Sequence, residues 1–275
     1  AQNFGLIGAA LGLGFILGPV IGGYLGQFGS RVPFIAAAAF TLINLIYGYF
    51  ILPESLDKKN RRKFDIKRAN PVGTLMSLKR YPVISGLLIC IVLFNIAQHA
   101  THSTWTFFTI EKFDWSEKLV GYSLGFIGLL AAIVQGGLIR VIIPKLGNIN
   151  SVYFGMIFYI LGLSLFAFAE EGWMVFAFAI PLSLGGISGP ALQGIMTNKI
   201  PDDEQGEFQG GMTSLVSLTA IIGPLLMTNL FSYFTSENSF YYFPGAPFMV
   251  GAIISFFGLI IAVRFLSGSR RGSGI

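Results

Sequence analysis

"GFILGPVIGG", Gly14 to Gly23, sets four glycines and a proline among residues that are otherwise all apolar. In water, Gly and Pro inside a helix cost about 1 and about 3 kcal/mol relative to Ala. Such a segment makes physical sense in a solvent that enforces helicity by other means. Lipid is that solvent, because a backbone polar group there finds no outside partner and only helices or closed barrels satisfy it internally.

The rest of the chain agrees with a lipid surrounding. Hydrophobic residues make up 53% of the 275, charged residues only 11%, and the mean hydropathy is +0.70. A soluble domain carries about 25% charged residues, so a water-soluble helical core is excluded for want of polar outer faces. Apolar runs of roughly 18 or more residues can cross a hydrocarbon core of about 30 Å. They recur at 4–25, 33–52, 83–108, 119–143, 150–169, 173–197, 209–234 and 247–266, which predicts eight transmembrane helices. Barrel strands would alternate polar and apolar residues; "FIAAAAFTLINLIYGYFIL", residues 34–52, does not. The expected fold class is all-α integral membrane.

Charge predicts the orientation. Of the 18 Lys and Arg residues, all but Arg31, Lys112 and Lys118 fall on the side of the 53–80 segment and the C-terminus. Excess Lys and Arg in short loops marks the cytoplasmic side, so the 53–80 loop and the C-terminus are expected in the cytoplasm. Topology control and contact with anionic lipid explain this basic loop better than a nucleic-acid partner. Cys90, the single cysteine, lies within a span and provides no disulfide framework.

A distant repeat sets the register. "AQNFGLIGAALGLGFILGP" at the start is echoed by "QGEFQGGMTSLVSLTAIIGP", ending at Gly223-Pro224. The two copies are six spans apart and therefore parallel, as in transporters built from two six-helix halves related by an axis along the membrane normal. On this reading residues 1–52 are the last two helices of the first half and 53–80 a basic cytoplasmic connector. Residues 81–266 are the six-helix second half and 267–275 a cytoplasmic tail. Four further helices are then expected upstream of Ala1.

Gly14, Gly18, Pro19, Gly22 and Gly23 match the Gly-x-x-x-Gly-Pro-x-x-Gly-Gly signature of major facilitator superfamily antiporters. "RVPFIAAAAFTLINLIYGYFILPES", "LSLFAFAEEGWM" and "GISGPALQGIMTNKIPDDEQGEFQGGMTSLVSLTAIIGPLL" resemble the tetracycline-efflux branch of the drug:proton antiporters. The resemblance implies the major facilitator fold and efflux of an amphipathic organic solute or drug in exchange for protons, as in multidrug resistance. It implies a monomer in the inner (plasma) membrane, with protons, a small-molecule substrate and the lipid bilayer as partners. In lipid, small residues at i, i+4 spacing let backbones approach closely. The Gly14–Gly18–Gly22 stripe, kinked at Pro19, is therefore expected to pack against the other half and seal the outer end of the cavity.

The chain departs from that branch at two places. Where tetracycline pumps carry a His and an Asp in the second and third helices of this half, alignment gives Ala131 and Tyr159, which makes tetracycline a doubtful substrate. "RVIIPKLGNINSV" occupies the place of a cytoplasmic basic loop motif but lacks its Asp-Arg pair.

All 13 acidic residues fall in predicted loops or at span ends. Intramembrane ionisable groups are the default functional candidates, which leaves His99, His102 and, near the cytoplasmic end, Arg140. The two histidines lie in "NIAQHATHSTWTFF", the most polar stretch inside any span. At i, i+3 they share one side of a helix with Asn95 at i, i+4, and histidine suits a proton relay. A cavity lined by Asn95, Gln98, His99, His102, Gln135 and Gln193 is one reading. Structural hydrogen bonding of the rings near the outer end is the second, and metal binding the third, disfavoured because no third ligand is evident. Trp105, Phe107 and Phe108 are expected to stack on a flat solute or to form an interfacial belt.

No catalytic elbow, zinc motif or phosphate-binding loop is present, so neither an enzyme nor a cofactor is expected. Uptake of a metabolite by symport, or a truncated non-transporting membrane protein, are the alternatives to efflux.

Overall fold

The computed structural model describes residues 31–52, 82–201, 204–237 and 239–272, with scattered positions between 14 and 29. Pro19, Gly23, the connector 53–80 and most of the first expected span lie outside the described residues. Among those described, every regular element is helical. They are α1 Val32–Ile51, α2 Pro82–Phe113, α3 Glu117–Ile133, a π-helix Val134–Leu138, α4 Ile139–Ala167, α5 Gly172–Leu184, a 3-10 helix Gly185–Ile187, α6 Ser188–Thr197, α7 Gln205–Thr235 and α8 Ala246–Gly272.

Among the described residues, six stretches are long and apolar enough to cross a membrane. The count of eight expected spans differs for two reasons. The first span is outside the described residues, and the expected spans 119–143 and 150–169 fall within one helical run, Leu119–Ala167. Forty-nine residues of helix would reach about 73 Å, more than twice the hydrocarbon thickness. The run breaks at Gly147, whose φ of 75° and ψ of 160° are non-helical. Pro144, inside the same helix, has no N–H to donate to the carbonyl of Arg140, four residues before it. Glycine then takes the positive φ at little steric cost, and the run is two helices joined at a kink.

α2 is the central helix and packs against α8 and α7, while α8 also packs on α4. Two apolar cores are stacked along it. Leu87, Met156, Met196 and Phe208 belong to the core at the Pro82 end; Trp105, Phe108, Phe166 and Phe248 belong to the one at the Phe113 end. α4 meets α5 and α6 backbone to backbone, since a Cβ on Gly162 would stand 2.7 Å from the backbone of Leu182, and one on Gly155 2.6 Å from Ser188 N. Close approach through small residues is how membrane helices gain dispersion energy without a hydrophobic drive. α1 buries none of its residues, and its apolar surface is of the kind that faces lipid or further helices.

Trp105 and Phe108 correct the expectation of a solute-stacking or interfacial pair. Trp105 is 2% exposed, its Nε1 donates to Ser123 Oγ at 2.9 Å, and its ring stands edge-on to Phe166 at 5.2 Å. Phe108 packs at 4.7 Å on Phe248. A buried indole needs a partner for its N–H, and Ser123 on α3 supplies one that the sequence pattern did not reveal.

Candidate functional site

α2 has one face of alanines, threonines and aromatics turned into the bundle and another that carries its polar residues. Ala97, Ala100, Thr101, Thr104 and Trp105 are buried; Gln98, His99 and Ser103 are half-buried, and His102 and Thr106 exposed. Polar side chains on the open face of a membrane helix line a wet cavity rather than lipid. The expected histidine pair is present: the two rings stand edge to face with centroids 6.2 Å apart.

His99 has an unexpected seat. A Cβ built on Gly223 of α7 would stand only 2.6 Å from His99 Cγ, so the imidazole rests against bare backbone in the turn before Pro224. Ser103 Oγ lies 3.4 Å from His99 Nδ1, one helical turn along α2. Near this contact, Thr228 Oγ1 donates to Pro224 O at 2.7 Å. Gly223 and Pro224, singled out in the sequence as a repeat, are thus in direct register with the histidine singled out for its chemistry.

The other expected residues are distributed differently. Asn95 Nδ2 donates to Ile91 O at 2.9 Å, within its own helix. Gln193 on α6 reaches Gln209 on α7, a residue the sequence reading passed over, with Nε2 and Oε1 3.5 Å apart. Gln135 is exposed on the π-helix. The hydrogen bonds and ring contacts of the described residues join neither Gln135 nor Gln193 to the histidines. Tyr159 is 5% exposed, packs at 4.6 Å on Phe94 and is held against Gly185, while Ala131 is half-buried. Gly14, Gly18 and Gly22 are helical, and a Cβ on any of them would meet nothing within 4 Å.

Two clefts occupy the ends of the bundle. One, about 410 Å³, is lined by Lys112, Phe168, Glu170, Tyr241 and Tyr242, beside which the Tyr242 hydroxyl donates to Glu111 Oε1 at 3.0 Å. Partial burial, then that hydrogen bond and the carboxylate's charge, hold Tyr242 above its ordinary pKa. The other, about 490 Å³, is lined by Leu146, Asn148, Asn198 and Lys199. Neither contains the histidines. Among the described residues no group of three or more His, Cys, Asp or Glu could hold a metal ion.

The family model of the Major Facilitator Superfamily matches residues 1–210. Tetracycline resistance protein, class C, of Escherichia coli is 34% identical over 254 residues, covering 92% of this chain and 63% of that protein. The class E protein of the same organism is 36% identical over 230 residues, covering 83% and 56%. The chain therefore spans about three-fifths of the length of these relatives. Among solved structures, the human organic anion transporter MFSD10 (TETRAN) superposes with a TM-score of 0.79 at 21% identity, covering 95% of this chain and 63% of that one. The transporter FucP in its outward conformation gives 0.63 at 14%, covering 87% and 57%. At these identities the two structures show a shared fold.

Proposed function

The chain belongs to the major facilitator superfamily, and from that premise we propose that it is the greater part of a proton-coupled exporter of amphipathic organic solutes. Its multiple apolar helices make it a multi-pass membrane protein, of a family of transporters and not enzymes. Residues 1–52 end one six-helix half, 81–266 form the other, and the connector 53–80 and the C-terminus face the cytoplasm. The whole protein works as a monomer in the inner membrane, its halves rocking about a midplane site.

The observation that carries this reading is the His99 ring resting on Gly223. It is a titratable group within the bilayer, placed where two helices meet beside a proline. Neutral, the imidazole packs on backbone as an apolar plate. Charged, the half-buried ring gains more from water than from that backbone seat, so proton binding favours parting α2 from α7 at Pro224. His102, 6.2 Å away, is the neighbouring titratable ring on the same face. The titratable and charged residues on the helices packed against α2 are Glu207 and Tyr233 on α7, Arg264, Arg270 and Arg271 on α8, and Glu117, Lys118 and Tyr122 on α3. Similarity to tetracycline resistance proteins supports drug efflux, but Ala131 and Tyr159 stand where the resemblance places ionisable residues, so tetracycline is not the favoured substrate.

The test uses everted vesicles that contain the full-length protein and an imposed pH gradient, with a fluorescent amphipathic drug and tetracycline as probes. The expected outcome is gradient-dependent accumulation of the drug, reduced at least tenfold by His99→Ala at unchanged protein level. Accumulation that persists when the gradient is collapsed would refute proton coupling, and movement in the opposite direction would favour uptake by symport.

A further inference from the structure

The bundle carries its charge at its ends, and at one end a cleft holds opposite charges apart. This is the cleft of about 410 Å³ between the end of α2, the turn after α4 and the loop 239–245. It falls within the size range of small-molecule sites, about 300–1,000 Å³. Lys112, on the last turn of α2, and Glu170, after α4, both line it. The two are near enough to attract each other, yet among the described residues neither side chain closes an ion pair or a hydrogen bond. The neighbouring carboxylates are engaged elsewhere, Glu111 with the Tyr242 hydroxyl and Glu171 with Trp173 Nε1. A cation and an anion that share one cleft without meeting are complementary to a ligand that carries both signs.

The walls of the cleft are fixed. A Cβ on Gly245 would collide with Ala167 O, so the loop lies directly on the end of α4. Phe243 N donates to Phe234 O at 3.0 Å, and the Tyr242 hydroxyl ties the same loop to α2 through Glu111. Phe168, Phe243 and Tyr241 form a row of rings, with successive centroids 5.8 and 6.2 Å apart. Phe168, Tyr241, Tyr242 and Trp173 are all exposed. Aromatic side chains gathered at the ends of membrane helices mark the level of the lipid headgroups. The apolar stretch Ile84–Phe113 ends one residue beyond Lys112, which puts the ammonium where hydrocarbon gives way to the polar layer.

The bilayer itself supplies a molecule of matching chemistry at that depth. Phosphatidylethanolamine carries a phosphate and, a short ethylene link away, an ammonium with N–H groups to donate. We propose that the cleft binds the phosphoethanolamine headgroup of a membrane lipid, its phosphate accepting from Lys112 and its ammonium donating to Glu170. Hydrogen bonds between ionised partners are the strong ones. An anionic headgroup would satisfy Lys112 but be repelled by Glu170, and a choline headgroup has no N–H for the carboxylate to accept. α2 begins beside the connector, so the site lies in the leaflet opposite to it, the outer one on the orientation proposed above. It depends on the chain being a membrane protein and not on proton-coupled export.

The full-length protein, delipidated in detergent, is titrated with short-chain phosphatidylethanolamine, phosphatidylcholine or phosphatidylglycerol while its melting temperature is followed. Phosphatidylethanolamine raises the melting temperature saturably, with half-saturation about fivefold below that of either other lipid. Lys112→Gln weakens the ethanolamine and glycerol lipids alike, each by about fivefold. Glu170→Gln weakens phosphatidylethanolamine by about fivefold but leaves phosphatidylglycerol no weaker, a split that a merely structural role would not produce. Glu170 is exposed, so this variant melts as the parent does when no lipid is added. Free phosphoethanolamine, without acyl chains, gives no shift at the same concentrations. Equal responses to the three lipids, or an ethanolamine response unchanged in both variants, overturn the site. A shift with free phosphoethanolamine equal to that with the lipid overturns the lipid as its occupant. Export that proceeds without any of these lipid responses sinks this site alone.

Discussion

The chain contains two Gly-Pro pairs at matching places in its expected repeat, and their described surroundings are opposite. Gly223 has the His99 imidazole lodged against it, with no room for even one methyl group. No described residue lies within 4 Å of a Cβ built on Gly18, and Pro19 lies outside the described residues. The same sequence pair, Gly before Pro, thus has a histidine seated on it at 223, while no described residue stands opposite it at 18. A small residue in a membrane helix permits close approach; only what stands opposite decides whether that permission is used.

This difference can be broken by substitution. The largest effect is expected at Gly223→Leu, which must push α2 from α7. Overpacking of this kind costs about 1–3 kcal/mol, read as a lower melting temperature of the purified protein together with lost transport. If Gly223→Leu melts like the parent protein, the seat is not there. His99→Ala should relieve part of that cost, and a double-substitution cycle with Gly223→Ala should return a coupling of about 0.5–3 kcal/mol, the range for residues in direct contact.

Gly18→Leu sharpens the comparison from the other side. With no described neighbour to displace, it should change stability by no more than about 0.5 kcal/mol, yet abolish coupled export if the stripe seals the outer end. A destabilisation equal to that of Gly223→Leu would show the two notches to be equivalent. Trp105→Phe keeps the aromatic core but strands Ser123, and should cost about 1 kcal/mol while leaving the pH dependence of transport unchanged. The smallest effect belongs to Tyr242→Phe, on an exposed turn, within about 0.5 kcal/mol. The folded-state pKa of Tyr242 is raised. Its bond to Glu111 therefore contributes below the ordinary tyrosine pKa of about 10 and is lost as pH climbs through the raised value. A pH melt of the variant against the parent checks that sign.

Much of the candidate site was legible in one dimension. Spacing alone placed His99 and His102 on one side of a helix, and the rings do face each other. The glycine-proline echo also pointed to Gly223, but as a packing element with no partner named, because a repeat reports register and not what stands across the gap. Gln135 and Gln193 illustrate the converse. Both are polar residues within spans, which is the only sequence signal for a cavity position, yet one lies on a π-turn and the other pairs with Gln209.

Composition and run length by themselves determined that this protein lives in a bilayer as helices, because unpaired backbone in hydrocarbon leaves only helices or closed barrels and the apolar runs lack a barrel strand's alternation. Charge asymmetry predicted its orientation, and the Gly-Pro signature pointed to its family. Tertiary structure alone decided which glycine receives a histidine, why Trp105 is a core residue, and where a π-turn and a 3-10 turn lie side by side. Those outcomes depend on contacts between residues far apart in the chain, and a periodicity of 3.6 residues carries no information about the helix on the other side.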